Sequence, residues 1–146
     1  MFLSLLIGFP IMLLCLFLQA IFLALCLRQY VRFRPAEQSH DSLGRNTLLL
    51  GLVMLVMLLG NFVQMAIWAA LFLYLGEFDK FETALYFSGV NFATLGYGDI
   101  VMTEEWRLLG PLEAANGILM FGVSTAVLTG AVMDVLKQAR RRRHGD

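Results

Sequence analysis

Three long apolar runs divide the chain. Residues 1–27 contain no charged side chain, and neither do residues 47–76 or residues 114–133. Each run has about 20 residues or more, so a helix that rises about 1.5 Å per residue would cross a hydrocarbon core of about 30 Å. The pattern predicts three membrane-spanning helices, at about residues 3–27, 47–75 and 109–136.

The segment between the second and third runs is shorter and mixed. A polar turn at 76–80 is followed by FETALYFSGVNFA (81–93), which is mostly apolar. As a helix these residues extend for about 20 Å, which is roughly half to two-thirds of the bilayer. The hexapeptide TLGYGD (94–99) comes next, and a polar stretch at 100–107 leads back. This order predicts a re-entrant structure, in which a half-helix enters the membrane and an extended strand leaves it.

Extended backbone at membrane depth cannot satisfy its own N–H and C=O groups. It is tolerated only where it is buried in protein or lines a water-filled path. One chain with three helices cannot bury such a strand on all sides, but several copies around a central axis can. Their carbonyl oxygens would then replace the hydration shell of a cation. Gly96 and Gly98 suit this strand, because glycine reaches at little cost the backbone angles that align successive carbonyls.

The hexapeptide and its surroundings resemble the pore domain of tetrameric potassium channels, whose selectivity-filter signature is T-V/I-G-Y-G-D. The similarity spans about residues 47–136 and includes the half-helix, Trp106 and the inner-helix sequence GILMFG (117–122). The first predicted helix lies outside it. The resemblance implies an all-α membrane protein with three transmembrane helices per subunit, a re-entrant pore helix and a selectivity-filter loop, assembled as a four-fold tetramer.

The resemblance also implies which groups bind the ion. The Thr94 hydroxyl and the stacked backbone carbonyls of the filter would bind K⁺, and the ion-binding residues are Thr94, Leu95, Gly96, Tyr97 and Gly98. Asp99 would support the filter from behind through a hydrogen bond with Tyr86. Val90 occupies the position of a carboxylate in some relatives, so a carboxyl pair behind the filter is not expected.

Two residues depart from the family pattern near the inner end of the filter. Leu95 stands where the family has valine or isoleucine, and Ala93 replaces a second threonine. The principal hypothesis is a K⁺-selective channel. The alternatives are a weakly selective cation channel of the same fold and a non-conducting, pore-like membrane subunit.

The last predicted helix carries a slanting stripe of residues at a spacing of four. A helix turns 100° per residue, so such residues drift slowly around one face. Two threonines in an otherwise apolar helix favour a face towards water. The predicted cavity and inner-helix residues are Gly117, a candidate bend, with Ile118, Phe121, Thr125, Thr129 and Met133. The alternative for this stripe is helix packing through small residues.

Other polar residues in the apolar runs receive structural interpretations. Asn61 and Gln64 are expected to form interhelical hydrogen bonds. Asn116 is expected to face either the back of the filter or a neighbouring helix. Glu113, close to Pro111 at the start of the last helix, is expected to act there as a cap-region acid. The first helix is expected to pack outside the second, towards lipid.

Composition agrees with a membrane protein, and charge suggests its orientation. The chain of 146 residues is 59% hydrophobic and 15% charged, which is too apolar for a soluble domain. Nine of its eleven basic residues lie in 28–46 and 137–146. The positive-inside rule therefore predicts a cytoplasmic C-terminus and an external N-terminus. The small size of the chain, without sensor domains, suggests a prokaryotic inner membrane. Part of the positive-inside signal comes from four arginines in the tail: Arg140, Arg141, Arg142 and Arg143. The alternative interpretation of these arginines is contact with anionic lipid.

The candidate chemistry excludes several classes of protein. No Ser/His/Asp, Cys/His or metal-ligand constellation is evident, so an enzyme is not expected. No cofactor is predicted, and K⁺ is the expected permeant ligand. The expected partners are further copies of the chain, K⁺ and membrane lipid, and not nucleic acid. The chain is predicted to comprise an extra helix with a basic loop (1–46), a pore domain (47–136) and a short basic tail (137–146).

Overall fold

The computed structural model describes residues 2–32 and 42–144. It contains four helices: α1 (Phe2–Arg32), α2 (Ser42–Tyr74), α3 (Phe81–Phe92) and α4 (Leu109–His144). No strand occurs within these two ranges. Three helices are long and apolar enough to cross a membrane, over Phe2–Arg28, Thr47–Tyr74 and Leu109–Lys137. The predicted fold class, an all-α membrane protein with three spanning helices and one short helix, is confirmed.

The short helix α3 lies against both α2 and α4 and reaches only part of the way along them. The Ser88 hydroxyl of α3 donates to the Met65 carbonyl oxygen of α2 at 2.8 Å. Met65 lies nine residues before the end of α2 at Tyr74, which is about 14 Å along that helix. The C-terminal end of α3 contacts Gly117, about 12 Å from the start of α4. This is the re-entrant geometry predicted for residues 81–93.

An aromatic cluster fixes the start of α3 against the end of α2. Phe72 is fully buried and lies edge-to-face with Phe87, with ring centroids 5.4 Å apart. Phe78, in the turn between the two helices, packs against Phe72 and Phe87 with centroids at 6.4 Å and 5.1 Å. Edge-to-face aromatic pairs contribute about 0.5–1.5 kcal/mol beyond the burial of their area. The cluster therefore sets the angle at which α3 leaves α2.

Helix α1 contacts α4 as well as α2. A methyl group at Gly8 would lie 2.7 Å from Leu112 Cδ1, so α1 and α4 approach closely there. At Gly60 of α2 a methyl group would meet the ring of Phe22 of α1 at 3.2 Å. The Ser4 hydroxyl donates to the Glu105 carbonyl oxygen at 3.1 Å, which places the N-terminal end of α1 beside the loop that follows the hexapeptide. The first helix packs against α2 as expected, and it also packs against α4, which was not expected, because small residues let it approach both helices.

The basic segments are described only in part. Helix α4 continues over Arg140–Arg143, and Arg140 is exposed. The side chains of Arg141, Arg142 and Arg143, and residues 33–41 with their share of the basic loop, lie outside the described part of the chain. Lipid contact by the tail therefore stays a prediction.

Candidate functional site

The C-terminus of α3 is capped by the first residue of the TLGYGD hexapeptide. The Thr94 N–H donates to the Asn91 carbonyl oxygen at 2.8 Å, and the Leu95 N–H donates to the Val90 carbonyl oxygen at 2.9 Å. These are the two bonds of a Schellman motif, in which the residue after the helix cap adopts a left-handed conformation. Thr94 has φ = 58°. Glycine is usual at such a position, and a β-branched residue there is an outlier that costs on the order of 1–3 kcal/mol.

Positive φ values then recur at every second residue of the hexapeptide. Thr94, Gly96 and Gly98 have φ of 58°, 56° and 72°. Leu95 and Tyr97, which lie between them, do not have positive φ. Alternation of this kind is what an extended segment needs if its successive carbonyls are to face one side. The sequence predicted such angles for Gly96 and Gly98, and the same angle at Thr94 was not anticipated.

The two glycines are required by conformation and not by crowding. No heavy atom lies within 4 Å of the position that a Cβ would take at Gly96 or Gly98. Their positive φ angles alone would strain an L-amino acid at either position. The strand is also exposed in the single chain, because Leu95, Tyr97 and Val101 show 54%, 66% and 74% of their surface.

Two polar contacts hold the hexapeptide and the loop after it. The Tyr86 hydroxyl donates to Asp99 Oδ2 at 2.7 Å, which is the hydrogen bond expected from the sequence. This bond raises the pKa of the Tyr86 hydroxyl above its ordinary value. The Glu77 carboxylate accepts from the Thr103 N–H at 2.8 Å and from the Thr103 hydroxyl at 2.6 Å. Sequence reasoning missed this second contact, because no local pattern joins residues 26 positions apart.

The predicted inner-helix stripe is exposed in the single chain, apart from Gly117. Ile118, Phe121 and Met133 show 61%, 40% and 50% of their surface. The Thr125 and Thr129 hydroxyls are exposed and donate to carbonyl oxygens four residues earlier, at 2.8 Å and 2.9 Å. Each hydroxyl oxygen keeps lone pairs that point away from the helix bond. The stripe is therefore free to line a cavity, and its function there stays a prediction.

Gly117 is buried where α4 crosses the end of α3. A Cβ at this position would lie 1.9 Å from the Phe92 carbonyl oxygen, so no other residue fits without movement of the backbone. The Phe92 ring packs edge-to-face on Phe121 one turn further along α4, with centroids 5.7 Å apart. A contact role is therefore established for Gly117, and its role as a bend stays a prediction.

A chain of polar side chains joins the three long helices. Gln64 Nε2 of α2 donates to Gln19 Oε1 of α1 at 2.7 Å. Asn116 Nδ2 of α4 donates to Gln64 Oε1 at 3.4 Å, and Gln19 Nε2 donates to the Ser124 hydroxyl oxygen of α4 at 3.4 Å. The interhelical bond expected for Gln64 is confirmed, and Asn116 faces a neighbouring helix. Sequence reasoning missed Gln19, although an amide in a run of 27 uncharged residues was a usable signal.

Glu113 lies deep between helices. Its side chain is fully buried and hydrogen-bonds the Ser88 hydroxyl of α3 through Oε1. Its other oxygen, Oε2, has no hydrogen-bond partner among the described residues. The expectation of a cap-region acid is wrong, because α4 begins at Leu109 and Glu113 faces α3 instead of the helix end.

A comparison of the chain with known families gives a match over the elements described above. A family model described as "Ion channel" matches residues 62–134, which is half of the chain. The chain belongs to this ion-channel family. The matched part of the channel runs from α2 through α3 and the hexapeptide into α4, and it leaves out α1. The family match agrees with the pore-domain resemblance carried by TLGYGD. No curated protein and no solved structure matches the chain.

Proposed function

We propose that four copies of the chain form a channel that conducts K⁺ passively and selectively through a filter made of TLGYGD. The observation that carries this proposal is the alternation of positive φ at Thr94, Gly96 and Gly98. Four such strands around one axis would present rings of carbonyl oxygens, which replace the hydration shell of K⁺. The channel family supports ion conduction, and the filter geometry supports the choice of ion.

Each part of the hexapeptide has a defined task in this proposal. The carbonyls of Thr94, Leu95, Gly96, Tyr97 and Gly98, with the Thr94 hydroxyl, form the ion sites. Asp99 and Tyr86 hold the outer end of the strand to α3 through their hydrogen bond. The carbonyl end of α3 immediately precedes the filter, and the negative end of its helix dipole favours a partly dehydrated cation.

The exposed filter of the single chain supports assembly into a tetramer. Polar, extended backbone within a membrane must be buried in protein or line water. Leu95, Tyr97 and Val101 are more than half exposed in one chain, so neighbouring subunits are needed to cover them. Four-fold symmetry brings four filters to one axis. The stripe from Ile118 to Met133 then lines the cavity below it.

The proposed channel lies in a prokaryotic inner membrane with its N-terminus outside and its C-terminus in the cytoplasm. The contact between Ser4 and Glu105 puts the N-terminal end of α1 at the same end of the bundle as the filter exit. The basic tail would then contact anionic lipid of the inner leaflet through Arg140–Arg143. No cofactor takes part in conduction.

Ion flux from liposomes tests this function. Purified protein is reconstituted, and efflux down an outward K⁺ gradient is compared with efflux down an equal Na⁺ gradient. We expect flux with K⁺ and little flux with Na⁺. Gly98→Ala should remove the preference for K⁺, because alanine is strained at φ = 72°. Gly89→Ala is the matched control, since Gly89 is helical and a Cβ there meets no atom within 4 Å.

The other outcomes separate the alternatives. Equal flux of K⁺ and Na⁺ would indicate a weakly selective channel and would implicate Leu95 and Ala93. A preference for K⁺ that survives in Gly98→Ala would show that the filter is assigned to the wrong residues. Absence of flux in the wild type and in Phe121→Ala, which should loosen the inner helix, would indicate a non-conducting subunit.

A further inference from the structure

The Ser88 hydroxyl takes part in two hydrogen bonds but has only one proton. Its oxygen lies 2.8 Å from the Met65 carbonyl oxygen and also hydrogen-bonds Glu113 Oε1. A hydroxyl is one donor and two acceptor lone pairs, whereas a backbone carbonyl can only accept. If Ser88 donates to Met65, its bond with Glu113 must be one in which Ser88 accepts. Both bonds therefore exist together only when Glu113 carries a proton and donates it to Ser88.

The surroundings of Glu113 agree with a neutral carboxyl group. Glu113 is fully buried, and among the described residues it forms no ion pair. From α1 it faces Cys15, a buried and free thiol that is its titratable neighbour. From α3 it faces Ser88, and Trp68 of α2 and Asn116 of α4 lie beside the same Cys15 thiol; none of these carries a charge. An ionised carboxylate with one hydrogen bond in such a site would lose most of its solvation without compensation.

The bond joins the two helices that position the filter. Ser88 lies six residues before Thr94, where the filter begins, and Glu113 lies one turn before Gly117. Gly117 in turn touches the Phe92 carbonyl at the end of α3. The Glu113–Ser88 bond and the Gly117–Phe92 contact therefore hold the same pair of helices on the side of the strained Thr94.

We propose that Glu113 is a buried proton-binding site whose neutral carboxyl group lets Ser88 fasten α3 to α2 and to α4 at once, and that its ionisation breaks the Ser88–Met65 bond and lowers K⁺ flux. The effect on flux rests on the proposed function, whereas the proton assignment does not. The pair of bonds needs the neutral form, because an ionised Glu113 can only accept and takes the one Ser88 proton away from the Met65 carbonyl. The Ser88–Met65 bond is therefore present at low pH and lost as the pH rises far enough to ionise Glu113.

Infrared spectroscopy tests the proton assignment without any ion flux. Spectra of the reconstituted wild type, Glu113→Gln and Glu82→Gln are compared at neutral pH. Glu82 is exposed on α3, so Glu82→Gln is the control. We expect the C=O band of a protonated carboxyl group in the wild type and in Glu82→Gln. This band should be missing in Glu113→Gln. Persistence of the whole band in Glu113→Gln would overturn the proposal. If Glu113→Gln does not fold, Ser88→Ala is measured instead. It should shift the carboxyl band, because it removes the hydroxyl oxygen that accepts the Glu113 proton. An unshifted band in Ser88→Ala would equally contradict the proposal.

Stability and flux as functions of pH test the fastening of the helices. The unfolding temperature should fall with rising pH in the wild type and in Glu82→Gln, and should fall less in Glu113→Gln, whose amide still donates to Ser88. The K⁺ flux should also decline with rising pH in the wild type and in Glu82→Gln, and should not depend on pH in Glu113→Gln. Identical pH profiles in all three would overturn the coupling. Absence of K⁺ flux at every pH would contradict the proposed function, while the infrared result would still decide the proton site.

Discussion

Glycines in and near the TLGYGD hexapeptide are constrained in two physically different ways. Gly96 and Gly98 have positive φ and open space around the missing Cβ. Gly117 is helical, and its missing side chain leaves room for the Phe92 carbonyl. Substitution at the first two positions strains the backbone of one loop. Substitution at Gly117 pushes two helices apart.

Gly117→Ala should destabilise the protein, whereas Gly122→Ala should not. The added Cβ would overlap the Phe92 carbonyl oxygen at 1.9 Å, and overpacking of this kind costs about 1–3 kcal/mol or more. At Gly122 a Cβ meets no atom within 4 Å, and alanine favours a helix by about 0.5–1 kcal/mol. Thermal unfolding in detergent measures both variants. Equal unfolding temperatures for the two would contradict the close contact between α3 and α4.

At the scale of single residues, the sequence predicts what depends on local chemistry. Gly96 and Gly98 were predicted to adopt unusual backbone angles because glycine alone adopts them readily, and the Tyr86–Asp99 bond followed from the family pattern. The partners of Glu113 and Gln19 were not predictable in the same way. Ser88 is 25 positions from Glu113, and Ser124 is 105 positions from Gln19. Such pairs depend on how whole helices pack.

At the scale of helices, polar side chains determine how α1 joins the pore. The bond between Gln64 and Gln19 is short, at 2.7 Å, and both side chains are buried. In a membrane, apolar surface alone does not drive helices together, because lipid tails are equally apolar. Interhelical hydrogen bonds and close contacts at small residues such as Gly8 and Gly60 supply the specificity instead.

A double-mutant cycle at Gln19 and Gln64 should reveal this coupling. Gln19→Leu and Gln64→Leu each leave the other amide without its strongest bond, so the two changes together should cost less than their sum. We expect a coupling energy of about 1 kcal/mol, within the range of interhelical hydrogen bonds in membranes. Reversible unfolding in mixed detergent micelles measures it. The control pair is Gln19→Leu with Tyr74→Phe, since Tyr74 lies at the exposed end of α2; the unfolding free-energy changes of these two substitutions should add. If the changes for Gln19→Leu and Gln64→Leu also add, the coupling is excluded.

The sequence predicts where the helices lie along the chain better than it predicts which helices pack together. The spans were predicted closely because length and apolar composition decide them. The packing of α1 against α2 was predicted, whereas its contact with α4 was not. Both α1 and α2 are apolar on all sides over their spans, so no amphipathic face indicated which surface meets a neighbour. Contact with α4 and with the loop before it depends on Gly8 and Ser4, whose partners Leu112 and Glu105 lie about a hundred positions away.

At the scale of the whole molecule, one chain leaves its most specialised segment uncovered. The hexapeptide at 94–99 and the predicted cavity stripe are both exposed, while α1 and α2 contact α4 elsewhere. We expect the protein in mild detergent to have four times the mass of one 16.4 kDa chain. Light scattering with subtraction of the detergent measures it, and the chain in denaturing detergent provides the monomer reference. A monomeric or dimeric mass in conducting preparations would contradict the four-fold filter.

The contacts of α1 also set an order for biogenesis. Ser4 and Gln19 meet Glu105 and Ser124, partners that are 101 and 105 positions later in the chain. Ribosomes add about 5–20 residues per second, so these partners are synthesised roughly 5 to 20 s after α1. Gln64 arrives first, 45 positions after Gln19, and can shelter its amide in the bilayer. We expect the contact between α1 and α2 to form first during synthesis, and the contacts of α1 with Glu105 and Ser124 to form once those residues have been made.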